Sequence, residues 1–204
     1  IDEGLVASYA DLFTLTPGDV EGLEGFAETA AMNLIDGIQA RKRVPFERFL
    51  IALSIGQVGE ETARNLAVHF GTLEKIQTAS VETLKNVEGV GGIVAASVYE
   101  WFRDKENMHV LKELLNHVDV ARAAPRAKGS LSGKTFVLTG TLSGLSRDET
   151  SALIRANGGI VSGSVSKRTD YVVAGLNPGS KFNDAKKVGV AVLDEEKFLQ
   201  LIGQ

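Results

Sequence analysis

The spacing of apolar residues changes character near the middle of the chain. In "ETAAMNLIDGIQ", "FERFLIAL", "ETARNLAVHF" and "VAASVYEWF" apolar positions recur every three or four residues, which predicts amphipathic helices. Beyond residue 130, short β-rich runs ("TFVLTG", "GIVSG", "DYVVAG", "VAVLD") alternate with helical ones ("RDETSALIRANG", "KFNDAKKVG", "EEKFLQLI"). Helices between strands imply parallel crossovers and an α/β sheet. Separating the two patterns, "RAAPRAKGSLSG" (122–133) is small, basic and rich in Gly, Ser and Pro, the composition of an exposed linker. The pattern predicts a multidomain chain: an all-α domain over 1–121, a linker over 122–130 and a small α/β domain over 131–204.

The helical half repeats. "LEGFAETAA" (23–31), "IGQVGEETA" (55–63) and "VEGVGGIVA" (87–95) share one frame at a constant offset of 32 residues. An apolar residue leads, Gly-apolar-Gly follows, and an alanine closes at 31, 63 and 95. Ala27 replaces the second frame glycine in the first copy, and Gln57 replaces the first in the second copy. A wider correspondence relates Thr16, Asp19 and Val20 to Ser80, Thr83 and Leu84. Thr16 and Ser80 suit helix N-caps, and Pro17 suits a first helical turn. Each copy reads as helix, glycine hairpin, helix, and two copies are expected to pair into a four-helix block.

A glycine turn that feeds a helix makes an anion cradle. The first four N–H groups of a helix lack intrahelical partners and carry partial positive charge. Without a Cβ, the backbone can approach a phosphate closely. The candidate donors are the amides of Gly91, Gly92 and Ile93 in the third copy and of Gly59, Glu60 and Glu61 in the second. Phe26, Val58 and Val90 would anchor the turns, and Ala31, Ala63 and Ala95 would let the helices approach. Such a grip needs no basic side chain and reads no bases. A dinucleotide fingerprint fails because the segment before the third turn is helical and Val94 stands where a third glycine is needed. A phosphate-binding loop fails for want of Gly-Lys-Ser/Thr.

Charge sharpens this picture. Residues 1–122 hold eleven basic and nineteen acidic residues, whereas 123–204 hold eleven and seven. A wholly side-chain grip on nucleic acid would need a basic first half, so any DNA binding there rests on local donors. "Arg41-Lys42-Arg43" is the one basic cluster in that half and a candidate phosphate contact. Without cysteine there is no disulfide framework, thiolate metal site or thiol nucleophile. His69, His109 and His117 are too scattered to bind a metal. Trp101, in an apolar helix face, is expected in the core. No apolar run is long enough to span a membrane, no signal peptide is visible, and the composition suits the cytoplasm.

Against these motifs, residues 55–102 resemble the helix-hairpin-helix domain of bacterial NAD-dependent DNA ligases, and "GKTFVLTG…EEKFLQLI" resembles the BRCT domain that ends those ligases. The resemblance covers nearly the whole chain in the same domain order. It implies a non-catalytic C-terminal portion. "IDEGLVASYADLF" then resembles the tail of a first, truncated motif. NAD, magnesium and zinc are implied for the parent enzyme outside this chain, and none is expected bound here. No Lys-x-Asp-Gly adenylation motif occurs. Nicked double-stranded DNA and the remaining ligase domains are the implied partners, and the chain is expected to be monomeric. Gly25, Gly59, Gly89 and Gly91 match the hairpin glycines of the family. With Ala27 and Gln57 departing, the first and second hairpins are expected to grip phosphate less well than the third.

By the same resemblance, the second half is a four-stranded parallel sheet. Strands are expected near 135–139, 160–162, 171–174 and 191–193, and helices near 147–157, 181–188 and 195–202. "NGG" (157–159) should end the first of these helices. Thr139-Gly140 and Lys181 match the trio that holds a phosphate in phosphate-binding BRCT domains, so a phosphate end or phosphoprotein is a possible ligand. Phe198 takes the place of a tryptophan usual in the last helix. The alternative reading is a BRCT-centred interaction module of another repair protein. Family X polymerases place BRCT before the hairpins, and nucleotide-excision subunits share only the hairpins.

Overall fold

A computed structural model describes residues 4–203. Ile1–Glu3, which open the stretch read as the tail of a preceding motif, and Gln204 lie outside the described residues. Each repeat copy forms two helices joined by a short turn. The first comprises α1 (Pro17–Glu21) and α2 (Glu28–Gln39), the second α3 (Phe46–Ala52) and α4 (Glu60–Phe70), and the third α6 (Val81–Lys85) and α7 (Gly92–Trp101). A short α5 (Leu73–Gln77) links the last two copies, and α8 (Lys105–Leu115) follows them.

The caps act where the sequence places them. Ser80 accepts a hydrogen bond from the Thr83 amide, while the amide and hydroxyl of Thr16 both donate to the Asp19 carboxylate. Ala31, Ala63 and Ala95 are each fully buried; a larger side chain there would hold the paired helices apart. The second and third copies share one core, in which Phe46, Phe49, Leu50, Leu66, Leu84 and Val98 are closed from solvent. Burial of each large side chain stabilises the fold by about 1.5–3 kcal/mol. The first copy keeps a separate small core of Val20, Ala31 and Ile35. The four-helix block is thus built from the second and third copies. A two-stranded parallel ladder between β1 (Arg43–Pro45) and β2 (Asp119–Ala121) closes the helical domain.

The second domain is a parallel sheet of β3 (Thr135–Thr139), β4 (Ile160–Ser162), β5 (Tyr171–Ala174) and β6 (Ala191–Leu193), in the order β4-β3-β5-β6. Helices α9 (Arg147–Ala156), α10 (Ser180–Val188) and α11 (Glu195–Leu201) complete it. Alternation along β3 divides its two faces. Phe136 and Leu138 pack with Ile154 and Phe198 on one face, and Val137 packs with Val172 and Ala185 on the other. Helix α9 ends at Asn157–Gly158, with Gly158 left-handed at φ +82°.

Candidate nucleic-acid interface

The three turns separate two roles that their glycines share in sequence. At the first frame position Gly25 has φ +86° and Gly89 φ +77°, and Gln57 in the second copy is held at φ +64°. This is the left-handed region that L side chains enter at a cost, so the first position is set by the turn itself. The second frame position is different. Gly59 (φ −87°, ψ −177°) and Gly91 (φ −85°, ψ 179°) are extended N-caps of α4 and α7, a conformation open to any residue. A Cβ added at either would meet no atom within 4 Å. Neither torsion nor packing therefore calls for glycine at 59 or 91. Neither cap supplies a side-chain acceptor to the first amides of its helix. Gly91, Gly92 and Ile93 all lie exposed, Ile93 at 78%, so that their amide face opens outward.

The turns are braced from behind. Ser97 on α7 donates to the Gly56 carbonyl at 2.8 Å, joining the second turn to the third helix pair. Val90 is buried, and Val58 and Phe26 are partly so. In the first copy Ala27 is the N-cap of α2, so a methyl group stands where Gly59 and Gly91 leave space.

The basic cluster has intramolecular partners. Arg41 donates to the Gly37 carbonyl at 2.7 Å, closing the end of α2. Arg43 lies 3.9 Å from Asp119, with both side chains largely exposed. The Lys42 carbonyl accepts from the Asp119 amide at 2.8 Å. The three residues thus edge the β1–β2 ladder with their charges still facing solvent. Trp101, expected in the core, is half-buried against Phe102 and lines an apolar cavity of 350 Å³.

In the sheet domain, Thr139 Oγ1 accepts from the Gly179 amide at 3.1 Å, at the start of α10. Gly140 has φ +75°, and a Cβ there would lie 2.6 Å from the Leu176 carbonyl oxygen, so the fold accounts for this glycine. Lys181 follows in the first turn of α10. Burial, with a further contribution from the nearby Arg147 charge, pushes the Lys181 ammonium below its ordinary value. Arg147, which sequence reasoning missed, donates to the Leu138 carbonyl at 3.0 Å. Two cations therefore converge beside Thr139, and neither has an ion-pair partner among the described residues.

The domains are docked, which the linker composition left open. Arg168 donates to the carbonyls of Lys85 (3.3 Å), Asn86 (3.2 Å) and Val87 (3.2 Å) and pairs with Glu88 at 3.4 Å. These carbonyls lie at and just beyond the C-terminal end of α6, the end of a helix that favours a cation. Asn65, only 6% exposed, donates to the carbonyls of both Glu88 and Val161, tying α4, the third turn and β4 together. Arg155 on α9 pairs with Glu61 on α4. Ser162 lies beside Gly89, so the sheet domain covers the flank of the third turn.

Comparison with known proteins agrees with this architecture. A family model described as a helix-hairpin-helix motif matches residues 48–111, and one for the BRCA1 C-terminal (BRCT) domain matches residues 129–202. The chain is 43% identical over 207 residues to a protein named DNA ligase from Chloroflexus aggregans (strain MD-66 / DSM 9485). That alignment covers all of this chain and 30% of the relative. Among solved structures, Rad4 BRCT1,2 in complex with a Crb2 phosphopeptide is similar at 16% identity and a TM-score of 0.34, over 66% of this chain and 67% of that one. A likeness that distant carries no argument.

Proposed function

We propose that the chain is the helix-hairpin-helix and BRCT portion of a DNA ligase, on the strength of its likeness to such an enzyme, and that it grips duplex DNA without regard to sequence. One observation carries this reading: Gly59 and Gly91 occupy helix N-caps that need glycine for neither torsion nor packing, and each faces open space. What glycine provides there is room for a ligand to reach the first amides of α4 and α7. A DNA phosphate suits that ligand, since helix N-termini favour anions and phosphate contacts position a protein without reading bases. Sealing of nicks in replication and repair, with NAD as adenylate donor and magnesium present, is assigned to other domains of the parent. Zinc does not fit this part, which has no cysteine and, among the described residues, no convergent group of three His, Asp or Glu.

Titration of the 204-residue chain with nicked duplex tests the reading. Weak binding that falls as salt rises and is equal for unrelated sequences is expected. No binding at low salt overturns it. At the BRCT domain, the convergence of Arg147 and Lys181 beside Thr139 supports a second ligand, a phosphate end or phosphopeptide. Lys181→Ala should abolish capture of a phosphopeptide and leave binding of nicked duplex in place.

A further inference from the structure

Docking of the two domains forms a cavity of 250 Å³ whose wall comes from α3, α4, the linker and the sheet domain. Three arginines line it: Arg64 on α4, Arg126 in the linker and Arg155 on α9. Glu47 is the one carboxylate in the wall. Arg155 is already committed to Glu61. Arg64 and Arg126 form no ion pair among the described residues. Arg64 Nε is buried with no hydrogen-bond partner, as is Glu61 Oε2. Burying an N–H donor without a partner is costly. Two carboxylates, Glu47 and Glu61, stand against three guanidinium groups. Glu88 also pulls on Arg126, but it is engaged by Arg168 at 3.4 Å.

We propose that this interdomain cavity is a phosphate-binding site, with Arg64 and Arg126 as its principal ligands and Arg155 as a third. The guanidinium fork matches a phosphate with paired N–H donors. The volume admits a tetrahedral oxyanion with several waters, each taking about 30 Å³. Burial pushes the Arg126 guanidinium below its ordinary value against the pull of Glu88, as expected for a cation drawn partly out of solvent. Because the wall exists only when the domains are docked, a phosphate bound there stabilises the docked arrangement by mass action. The phosphate is either a backbone group of nucleic acid or a free phosphate ion.

The Arg64 Nε–H resonance of the full chain, followed by ¹H–¹⁵N NMR during titration with inorganic phosphate, gives a direct readout. A saturable shift is expected, and Lys181→Ala should leave it unchanged. Arg126→Gln, in a linker outside both cores, should weaken it at least about tenfold, the loss expected for one charge-assisted contact. Arg64→Lys keeps the charge but removes the Nε–H; with this variant, the extra domain docking that phosphate induces, followed by solution scattering, should disappear. An unresponsive Arg64 resonance, an unaltered affinity in Arg126→Gln, or loss of the response in Lys181→Ala overturns the proposal. Nicked duplex that displaces bound phosphate identifies a backbone phosphate as the natural occupant; duplex that leaves the Arg64 resonance untouched identifies a free phosphate.

Discussion

Gly91→Val isolates the amide cradle from every other source of affinity. In the free protein the substitution is tolerated: φ is −85°, and no atom lies within 4 Å of the added Cβ. Loss of a favourable N-cap residue is offset by a less flexible unfolded chain, so the net stability change should stay within about 1 kcal/mol. With DNA the outcome differs. A phosphate oxygen must come within about 2.9 Å of the amide nitrogens, and a branched side chain at the cap stands in that path. Loss of a single charge-assisted hydrogen bond at the lower end of its range, about 1.5 kcal/mol, raises Kd roughly tenfold. Salt dependence supplies a second criterion. Amides carry no formal charge, so Gly91→Val should leave the slope of log K against log salt nearly unchanged, whereas removal of a phosphate-bound lysine lowers it by about one. Fluorescence anisotropy of nicked duplex at several salt concentrations, with thermal unfolding as the control, measures both quantities. If Lys42→Ala or Lys85→Ala weakens binding more than Gly91→Val does, the cradle argument fails.

Gln57→Gly should raise stability by about 1 kcal/mol, since Gln57 is held at φ +64° and relief of left-handed strain outweighs the added freedom of the unfolded chain; denaturant unfolding measures it, and destabilisation would contradict the strain assignment. Arg168→Ala removes three carbonyl contacts and the pair with Glu88; small-angle scattering should then show a larger radius of gyration with both domains still folded, and an unchanged radius would refute a latching role. Asp170 feels burial, which raises its pKa, but the hydrogen bonds from Lys134 and the Thr135 amide prevail and hold it below the usual carboxylate value. Its contribution is therefore full above the unfolded value and lost as pH falls below roughly 4; Asp170→Asn should flatten the acid limb of a stability–pH curve, and an unchanged limb would count against it.

The elements of this fold are more legible in the sequence than their junctions. All four strands of the sheet domain fall on the residues expected of them, because β-branched runs between turn residues leave a local signature. Phe198 and the frame alanines are buried as expected because size at a fixed helix position is equally local. The docking contacts are not local. Asn65 reaches Val161 across 96 residues of chain, and Arg168 serves carbonyls whose owners contribute no side chain to the contact. Neither leaves a periodic trace, and Arg147 escapes for the same reason.

The hairpin frame shows how torsion completes what a residue pattern leaves open. On sequence alone, Ala27 and Gln57 are equivalent lapses, and both predict a weaker grip. The structure separates them. Gln57 stands where the turn needs a left-handed residue, on the approach to the cap, and Gly59 with the open amide face beyond it is intact. Its consequence is strain in the turn. Ala27 is itself the cap, so its methyl group occupies the approach to the first amides of α2 while the backbone stays relaxed at φ −86°. The first departure is expected to act on stability and the second on phosphate access. The second hairpin then retains the geometry of the third, and what distinguishes its affinity is the pair of carboxylates, Glu60 and Glu61, at the start of α4. Arg155 of the docked sheet domain engages one of them, so domain docking and the anion preference of the second hairpin are electrostatically coupled.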